Sequence, residues 1–437
     1  MTKSTISKAN LEVKLKVAST NGVASTNGSI FNTDPFLHDS APIPLGYDSN
    51  YSHVYLWSKE ADAIIIRSTQ ELDKLHALVS IIDQKWLRLY GTDPESGKLL
   101  GNKIGTLILE NAKYRGIFST EQEYGLGVYY DKKLDKVIVN SRHECIDLDH
   151  NAIERISDGR KIIYTKTGPK DPPKLMKLGN APDAETYTED EARAVFSKIA
   201  RTLHKWNIAG GTGAKGLIIG WLMSTCVVGA LPQRPSIWLQ GAKGSGKSTL
   251  QDFMYSISED WVLRKSAVGS TATAIKQDLG VSAASVILDE SAKDTDPNVV
   301  NRINGIIALM RTAYSSLGTL DSIGSPDGKT KKYRTASSIC YASVHKPKLQ
   351  DQDASRIAFI SVLQRQDRVS ENESERDAAI RTVENNKLFK ETLKVTERDK
   401  AIFFSYSCYA YKNYYNKALE TLEVAWRTES PSTSGID

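Results

Sequence analysis

The chain has 437 residues, of which 40% are hydrophobic and 25% charged, and this balance excludes a wholly disordered protein. Its 57 lysines and arginines against 52 aspartates and glutamates leave a net charge of +5, which permits a nucleic-acid partner without requiring one. Four widely separated cysteines without a CxxC pair favour reduced thiols in a cytoplasmic protein over a zinc cluster or a disulfide framework.

The most apolar stretch, residues 216–231, contains several small residues and is typical of a buried helix. No run of eighteen apolar residues occurs, and no apolar segment follows the amino-terminal lysines. We therefore expect neither a membrane partner nor a secretory signal.

Residues 1–44 are rich in Ser, Thr, Asn and Gly and contain the hexapeptide VASTNG twice, at 17–22 and 23–28. A polar repeat of this kind cannot bury a core, so the sequence predicts a disordered tail. A basic arm that touches DNA is the alternative.

Residues 45–165 are predicted to form a small α+β accessory domain without a recognisable active site. Its β-branched and aromatic runs predict strands at 53–57, 63–67, 127–130 and 136–139, the last two joined as a hairpin. Helical spacing occurs at 68–79 and 104–112. Residues 166–185, with several prolines and little apolar content, are predicted to be a linker.

An α/β core is predicted over residues 186–367. Thr188 and Glu191 have the spacing of a capping box, and apolar residues from Ala192 to Leu203 recur at helical spacing after it. A second helix is predicted at 213–230, and a buried strand at 235–240 runs directly into a glycine-rich loop.

That loop matches the phosphate-binding pattern G-x-x-x-x-G-K-[ST]. Glycines allow backbone N–H groups to surround phosphates, and the following helix adds the positive end of its dipole. We expect Lys247 to reach the β- and γ-phosphates of ATP and Ser248 to hold Mg²⁺. The residues expected to bind the nucleotide are Gly241, Ala242, Lys243, Gly244, Ser245, Gly246, Lys247, Ser248 and Thr249.

An acidic strand supplies the second element that nucleotide hydrolysis requires. The apolar run 285–288 ends in Asp289 and Glu290. We expect Asp289 to reach Mg²⁺, through water, and Glu290 to polarise the attacking water.

Two more residues are predicted to take part in hydrolysis. Ser343 ends a third apolar strand, where it is placed to sense the γ-phosphate or orient water; an ordinary strand-end serine is the alternative. Arg356 precedes another apolar run and is expected to act as a finger on the neighbouring subunit's nucleotide, with a structural ion pair as the competing interpretation.

A lysine-bearing hairpin is predicted between the acidic strand and the Ser343 strand, around the turn Pro326-Asp327-Gly328. Its cations Lys329, Lys331 and Lys332 would bind DNA phosphates without reading sequence. A solvated charged hairpin is the alternative. Residues 368–437 are predicted to be helical, and the aromatics of 398–415 to form the core of a helical lid rather than a base-stacking surface.

The order of phosphate loop, helix, acidic strand, lysine hairpin, polar-ended strand and arginine, over residues 185–365, resembles the helicase domain of phage and mobile-element primase-helicases. These are AAA+ ATPases similar to superfamily III helicases. The resemblance implies a hexameric ring that translocates on single-stranded or forked DNA, alone or with a separate primase or replication initiator. Many superfamily III helicases carry Asn where this chain has Ser343, and no primase pattern is present.

The sequence thus predicts an AAA+ P-loop ATPase core, a parallel sheet flanked by helices, with an α+β amino-terminal domain and a helical carboxy-terminal region. The predicted function is an ATP-dependent, ring-forming DNA helicase or translocase in the replication of a phage, plasmid or other mobile element. The alternatives are a protein-remodelling or nucleotide-switch ATPase, or a nucleotide-gated interaction or defence protein.

Overall fold

The computed structural model describes residues 35–59, 61–119, 123–156, 162–267, 269–289, 297–315, 320–324, 330–344, 346–347, 349–364 and 395–429. It has a mixed α/β fold built around a five-stranded parallel sheet with helices on both faces. This confirms the predicted parallel sheet flanked by helices.

Residues 35–115 form a small α+β unit with its own hydrophobic core, which includes Trp86 and Ile104. Its elements are a 3₁₀ turn Pro35–Leu37, β1 Ile43–Tyr47, β2 His53–Ser58, β3 Ala63–Ser68, α1 Leu75–Val79, α2 Gln84–Gly91 and α3 Gly101–Arg115. The three strands pair antiparallel in chain order.

The start of this unit differs from the predicted end of the tail at residue 44. The indole of Trp86 donates a 2.7 Å hydrogen bond to the carbonyl oxygen of Pro35, and Ala41 is buried. The predicted helix 68–79 forms only over α1; the residues before it form turns, in which the Glu71 N–H donates to the Ser68 carbonyl oxygen and the Lys74 N–H to the Glu71 carbonyl oxygen. Residues 1–34, with the hexapeptide repeat, lie outside the described residues.

The strands that follow pack with the helices of the core, and the predicted accessory domain 45–165 stays a prediction. They are β4 Glu123–Tyr124, β5 Gly127–Asp131, β6 Lys136–Asn140, β7 Cys145–Asp147, β8 Ile163–Tyr164, β9 Lys177–Leu178 and β10 Thr186–Tyr187. The β5–β6 hairpin forms as predicted. Val128 and Val139 pack in the same hydrophobic cluster as Trp221 and Phe253, and the backbone of Gly125 bonds that of Val281.

The predicted linker 166–185 also packs on the core. Leu175 and Met176 are buried, and the Met176 backbone N–H donates to the Ser405 hydroxyl at 2.9 Å. Prolines exclude helix there but leave an extended chain that docks.

The core unit alternates helices with parallel strands. Its elements are α4 Glu189–Leu203, α5 Gly211–Cys226, β11 Ser236–Gln240, α6 Lys247–Ser258, β12 Val262–Ser266, α7 Ala272–Leu279, β13 Ser285–Asp289, α8 Pro297–Ser315, β14 Leu320–Gly324, β15 Thr330–Arg334, β16 Ile339–Ser343, α9 Asp351–Ala354, β17 Ile357–Ser361 and α10 Glu397–Glu429. The parallel sheet has the order β12-β13-β16-β11-β17, while β14 and β15 form a separate antiparallel hairpin.

Alternate residues of the strands pack on opposite faces of the sheet, as the period of two requires. Leu239 and Ile287 pack against α4, α5, α6 and α10 on one face. Trp238 and Leu288 pack against α7 and α8 on the other. Both faces are covered, which explains the uninterrupted apolar runs of these strands.

Two helices of the core were predicted from local sequence signals. The predicted capping box is present at α4: the Thr188 hydroxyl accepts from the Glu191 N–H, and the Glu191 carboxylate accepts from the Thr188 N–H. The apolar stretch predicted as a buried helix forms α5 and buries Ile218, Trp221 and Leu222. Within the described ranges, no helix has the length and apolar character needed to cross a membrane.

The long helix α10 confirms that the aromatics near residue 400 are core residues. Phe403, Phe404 and Cys408 are completely buried, in the cluster that also holds Phe253 of α6. Residues 365–394, within which the remaining predicted carboxy-terminal helix falls, lie outside the described residues.

Candidate nucleotide site

The phosphate loop, residues 241–249, lies between the carboxyl end of β11 and the start of α6. Two of its glycines are required by geometry. Gly246 has φ of +90°, a conformation that side chains disfavour. A Cβ on Gly241 would lie 2.1 Å from the carbonyl oxygen of Val362, so the loop approaches the end of β17 too closely for any other residue.

Lys247 begins α6, and its ammonium group lies over the loop. Its Nζ donates to the carbonyl oxygens of Gly241 at 2.6 Å and of Ala242 at 3.1 Å. The cation is therefore held beside the loop, where the phosphates of a nucleotide would approach.

The next residue connects the loop to the acidic strand. The Ser248 hydroxyl lies 3.3 Å from Oδ1 of Asp289, although 41 residues separate them. Asp289 ends β13, and the parallel strands end at one edge of the sheet, which brings these two predicted Mg²⁺ ligands together. Glu290, the predicted water-activating residue, lies outside the described residues.

The residues present fit a magnesium nucleotide. A hydroxyl and a carboxylate are the hard oxygen donors that Mg²⁺ takes alongside phosphate and water. The hydroxyl oxygen of Ser245 is buried and has no hydrogen-bond partner within the described part of the chain, and a Cβ on Gly244 would have open space around it. Both features suit a bound phosphate group. Among the described residues, no group of three His, Cys, Asp or Glu side chains forms a separate metal site.

Ser343 ends β16, between the phosphate-loop strand and the acidic strand, directly beside Gln240. Its side chain is buried and accepts a 2.8 Å hydrogen bond from the indole of Trp238, which packs on the face of the sheet that contacts α7 and α8. The end of β16 thus lies at the candidate nucleotide site. The Ser343 hydroxyl is on the face of the sheet that α7 and α8 cover, opposite to the face on which α6 packs.

Arg356 lies at the opposite edge of the sheet. It immediately precedes β17, and its carbonyl oxygen accepts from the N–H of Ser236, the first residue of β11. The five residues of β11 span roughly 15 Å, so Arg356 is remote from the phosphate loop of its own chain. Its guanidinium lies 5.5 Å from the centre of the Tyr314 ring. The neighbouring Asp353 forms a bidentate pair with Arg311 instead.

The predicted hairpin is present as strands β14 and β15, paired from Leu320–Arg334 to Gly324–Thr330. Lys331 and Lys332 lie on β15, whereas Lys329 and the turn 325–329 lie outside the described residues. The hairpin base is anchored where the Arg334 N–H donates to the Gly280 carbonyl oxygen at 2.9 Å.

Three side chains make contacts at the site that were not predicted from the sequence. The indole of Trp206 donates to the Gly246 carbonyl oxygen at 3.0 Å. Arg264 of β12 pairs with Asp252 at 2.6 Å and lies 3.7 Å from Asp289. The amide of Gln251 donates to the Leu288 carbonyl oxygen beneath the acidic strand. Each joins residues distant in the chain, and no local pattern signals them.

The floor beneath the site is uncharged. Burial raises the pKa of the Cys340 thiol to about 12, so this residue is a neutral thiol next to Gln251. Lys247, Arg264 and Asp289 carry charges around the loop itself.

Comparison with known proteins gives similarities to solved structures at low sequence identity. No protein-family model matches the chain, and no curated protein matches it. The apo C-terminal region of NrS-1 is 14% identical, with 68% of this chain and 76% of that chain covered, at a TM-score of 0.28. The SCCmec type IV Cch active helicase is 13% identical, with 90% and 66% covered, at a TM-score of 0.42. JCV helicase, bound to a small molecule, is 13% identical, with 51% and 55% covered, at a TM-score of 0.30. These scores are low, so the function proposed below rests on the residues of this chain.

Proposed function

We propose that this protein is an AAA+ ATPase that moves on single-stranded or forked DNA as a ring-forming, ATP-dependent helicase, in the replication of a phage, plasmid or other mobile element. The observation that carries the proposal is the contact between Ser248 and Asp289, which unites the phosphate loop with the acidic strand. ATP and Mg²⁺ are the ligands that this pair and Lys247 suit.

The chain's own residues have distinct tasks in the proposed hydrolysis. The loop backbone and Lys247 bind and orient the phosphates, and Ser248 and Asp289 hold the metal. Mg²⁺, when bound, neutralises charge on the phosphate oxygens. Glu290, which follows Asp289 in the chain, polarises the attacking water.

The strand order supports the AAA+ assignment. The polar-ended strand β16 lies between the phosphate-loop strand β11 and the acidic strand β13. A polar group at the end of β16 therefore lies between the two catalytic elements, as expected for a strand that senses the γ-phosphate. Because the Ser343 hydroxyl is bonded to Trp238, we propose that Ser343 acts by positioning the end of this strand.

The position of Arg356 supports hydrolysis between subunits. An arginine roughly 15 Å from its own loop reaches a nucleotide only in a neighbouring subunit, where it stabilises charge on the transferred phosphate. In a closed ring, which we propose to be a hexamer, one such arginine lies at every interface between subunits.

DNA binding is proposed for the hairpin. Lys331 and Lys332 lie on β15, and Lys329 immediately precedes this strand in the sequence. Cations on a hairpin within a ring would contact DNA phosphates without sequence preference. A separate primase or replication initiator is the proposed protein partner.

The ATPase rate with and without single-stranded DNA, at low and moderate salt, tests the proposal. We expect strong stimulation by DNA that weakens with salt and is lost in Glu290→Gln. Lys329→Ala is expected to retain basal hydrolysis and to lose DNA stimulation and unwinding. Robust hydrolysis that DNA leaves unchanged would instead favour a protein-remodelling or nucleotide-switch ATPase.

A further inference from the structure

A second concave site lies at the sheet edge opposite the phosphate loop. It is a cavity of about 810 Å³, within the range of small-ligand sites. Arg234 and Arg334 form part of its floor and precede β11 and β16, which places it at the amino ends of these parallel strands. The β5–β6 hairpin and α10 form its walls. We call it the tyrosine cavity.

The lining of the tyrosine cavity is cationic where it is buried. Arg234 is 2% exposed and donates to the carbonyl oxygens of Val228 at 2.7 Å and Ala313 at 3.2 Å. Within the described part of the chain it forms no ion pair with a carboxylate. Burial, and then the charge of Arg334, lowers the pKa of Arg234 to about 10. Two mutually repelling buried cations favour a bound anion.

The rim adds four lysines. Lys136 pairs with Asp147, and Lys412 pairs with Asp149 at 2.8 Å. Lys132 and Lys133 are exposed at the turn of the β5–β6 hairpin, on the same rim. The lining holds six lysines and arginines against three aspartates, so its net formal charge is positive.

Aromatic rings provide the other half of the lining. Tyr130 is 40% exposed at the mouth. Tyr411 and Tyr415 of α10 lie beside each other with ring centroids 4.9 Å apart. Tyrosine faces next to cations are the combination that holds a nucleobase and its phosphate in single-strand binding proteins.

The cavity is continuous with the hairpin proposed to contact DNA. Arg334 ends β15, two and three residues after Lys332 and Lys331. A strand that leaves the hairpin at its base would meet the Arg334 side of the cavity. This continuity favours a nucleotide within a strand over a free nucleotide.

We propose that the tyrosine cavity binds one nucleotide unit of single-stranded DNA, with its phosphate toward Arg234, Arg334 and the Lys132–Lys133 rim and its base against Tyr130 and the α10 tyrosines. The proposal rests on the proposed function as a DNA motor. It adds a strand-binding site separate from both the phosphate loop and the lysine hairpin.

The first test is the binding of fluorescent oligo-dT, by anisotropy across salt concentrations. The rim variant is Lys132→Glu with Lys133→Glu, and the control is Lys74→Glu with Lys85→Glu on the amino-terminal unit, which carries the same charge change. We expect about tenfold weaker binding and a log–log salt slope smaller by about 1–2 in the rim variant only. ATPase without DNA should be unchanged in both.

A second pair of variants tests the aromatic lining. Tyr130→Leu should weaken binding about fivefold with no change in salt slope, because stacking is lost and charge is kept. Tyr114→Leu, on the exposed face of α3, is its control. Photo-crosslinking with a 5-iodouracil oligonucleotide should label tyrosines of the cavity, and excess dTTP should not compete.

The outcomes separate this proposal from the proposed function. One outcome is that DNA stimulates the ATPase while the rim and Tyr130 variants bind oligo-dT as their controls do. This result would overturn the cavity assignment and leave the proposed DNA motor intact. Complete competition by free dTTP would assign the cavity to a free nucleotide and overturn strand binding. A wild-type protein that neither binds oligo-dT nor responds to it would overturn both.

Discussion

The indole Nε1 of Trp206 donates a 3.0 Å hydrogen bond to the carbonyl oxygen of Gly246, so the segment before α5 holds the phosphate loop in place. The same ring stacks on Phe253 of α6, with centroids 5.7 Å apart and planes inclined by 25°. Trp206 therefore fixes both the loop and the helix that the loop begins.

Trp206→Phe should weaken ATP binding about fivefold, because it removes one hydrogen bond, worth about 1 kcal/mol, and keeps the stacked ring. Titration with a fluorescent ATP analogue measures the effect. Trp261→Phe is a matched control, since the Trp261 indole donates to the Thr225 hydroxyl at 2.8 Å, remote from the loop. An equal loss of affinity in both variants would indicate a global effect and contradict a local role.

Lys247→Ala should reduce ATP turnover at least about a hundredfold, because it removes the cation beside the phosphates. Lys243→Ala is the control within the same loop, because Lys243 is expected to bind phosphate through its backbone N–H, which alanine keeps. Its side chain is exposed, and its carbonyl oxygen accepts from Gln364. We expect the control to stay within about twofold of wild type. Steady-state assays of ATP hydrolysis measure the turnover of both variants. Turnover that persists in Lys247→Ala would contradict the phosphate-loop assignment.

Arg356→Ala should be nearly inactive alone, and mixing it with Lys247→Ala should restore part of the ATPase activity. In a mixed ring, an Arg356→Ala subunit keeps its own Lys247, and its Lys247→Ala neighbour supplies the arginine. The measurement is ATPase rate against mixing ratio. A mixture no more active than its components would argue for a structural role of Arg356 beside Tyr314.

Glu123 predicts a pH dependence of stability. Burial raises the pKa of this carboxyl from 4.5 to about 7, against opposing effects of the Thr165 hydroxyl and Arg334. Between these two pH values the folded state binds more protons than the unfolded chain. The free energy of unfolding therefore falls as the pH rises through this window, by roughly 1–3 kcal/mol in total.

Glu123→Gln should remove this contribution, because the amide keeps the shape of the side chain and does not titrate. Denaturant unfolding at pH 5 and pH 7.5 measures the difference between variant and wild type. Comparing the variant with wild type isolates the contribution of Glu123. This is needed because burial lowers the pKa of His150, whose contribution to the free energy of unfolding changes with the opposite sign over part of the same pH range. Parallel pH profiles for the two proteins would contradict the raised pKa.

The elements that carry the nucleotide site could be predicted because their signals are local. The glycine spacing of 241–249 and the apolar run ending in Asp289 each lie within a few residues. Their meeting follows from a general property of parallel sheets, whose strands end at one edge. The capping box of α4 and the strands of the lysine hairpin are local in the same sense.

Partners of individual side chains could not be predicted in this way. The bond from Trp238 to Ser343 depends on which two strands become neighbours, and strand order is not written in any short pattern. The predicted accessory domain 45–165 stays a prediction for a related reason. The alternation of apolar and polar residues along the strands predicts that Val128 and Val139 are buried. It does not predict that they pack against α5 and α6.

Helix α10 has a consequence for the order in which the protein becomes functional during synthesis. Phe403 and Phe404 complete the hydrophobic cluster that holds the phosphate-loop helix, and Arg398 pairs with Glu191 at the start of α4. A chain still being translated has the phosphate loop long before it has these residues. The phosphate-loop helix is therefore expected to reach its final packing only once the ribosome has released α10.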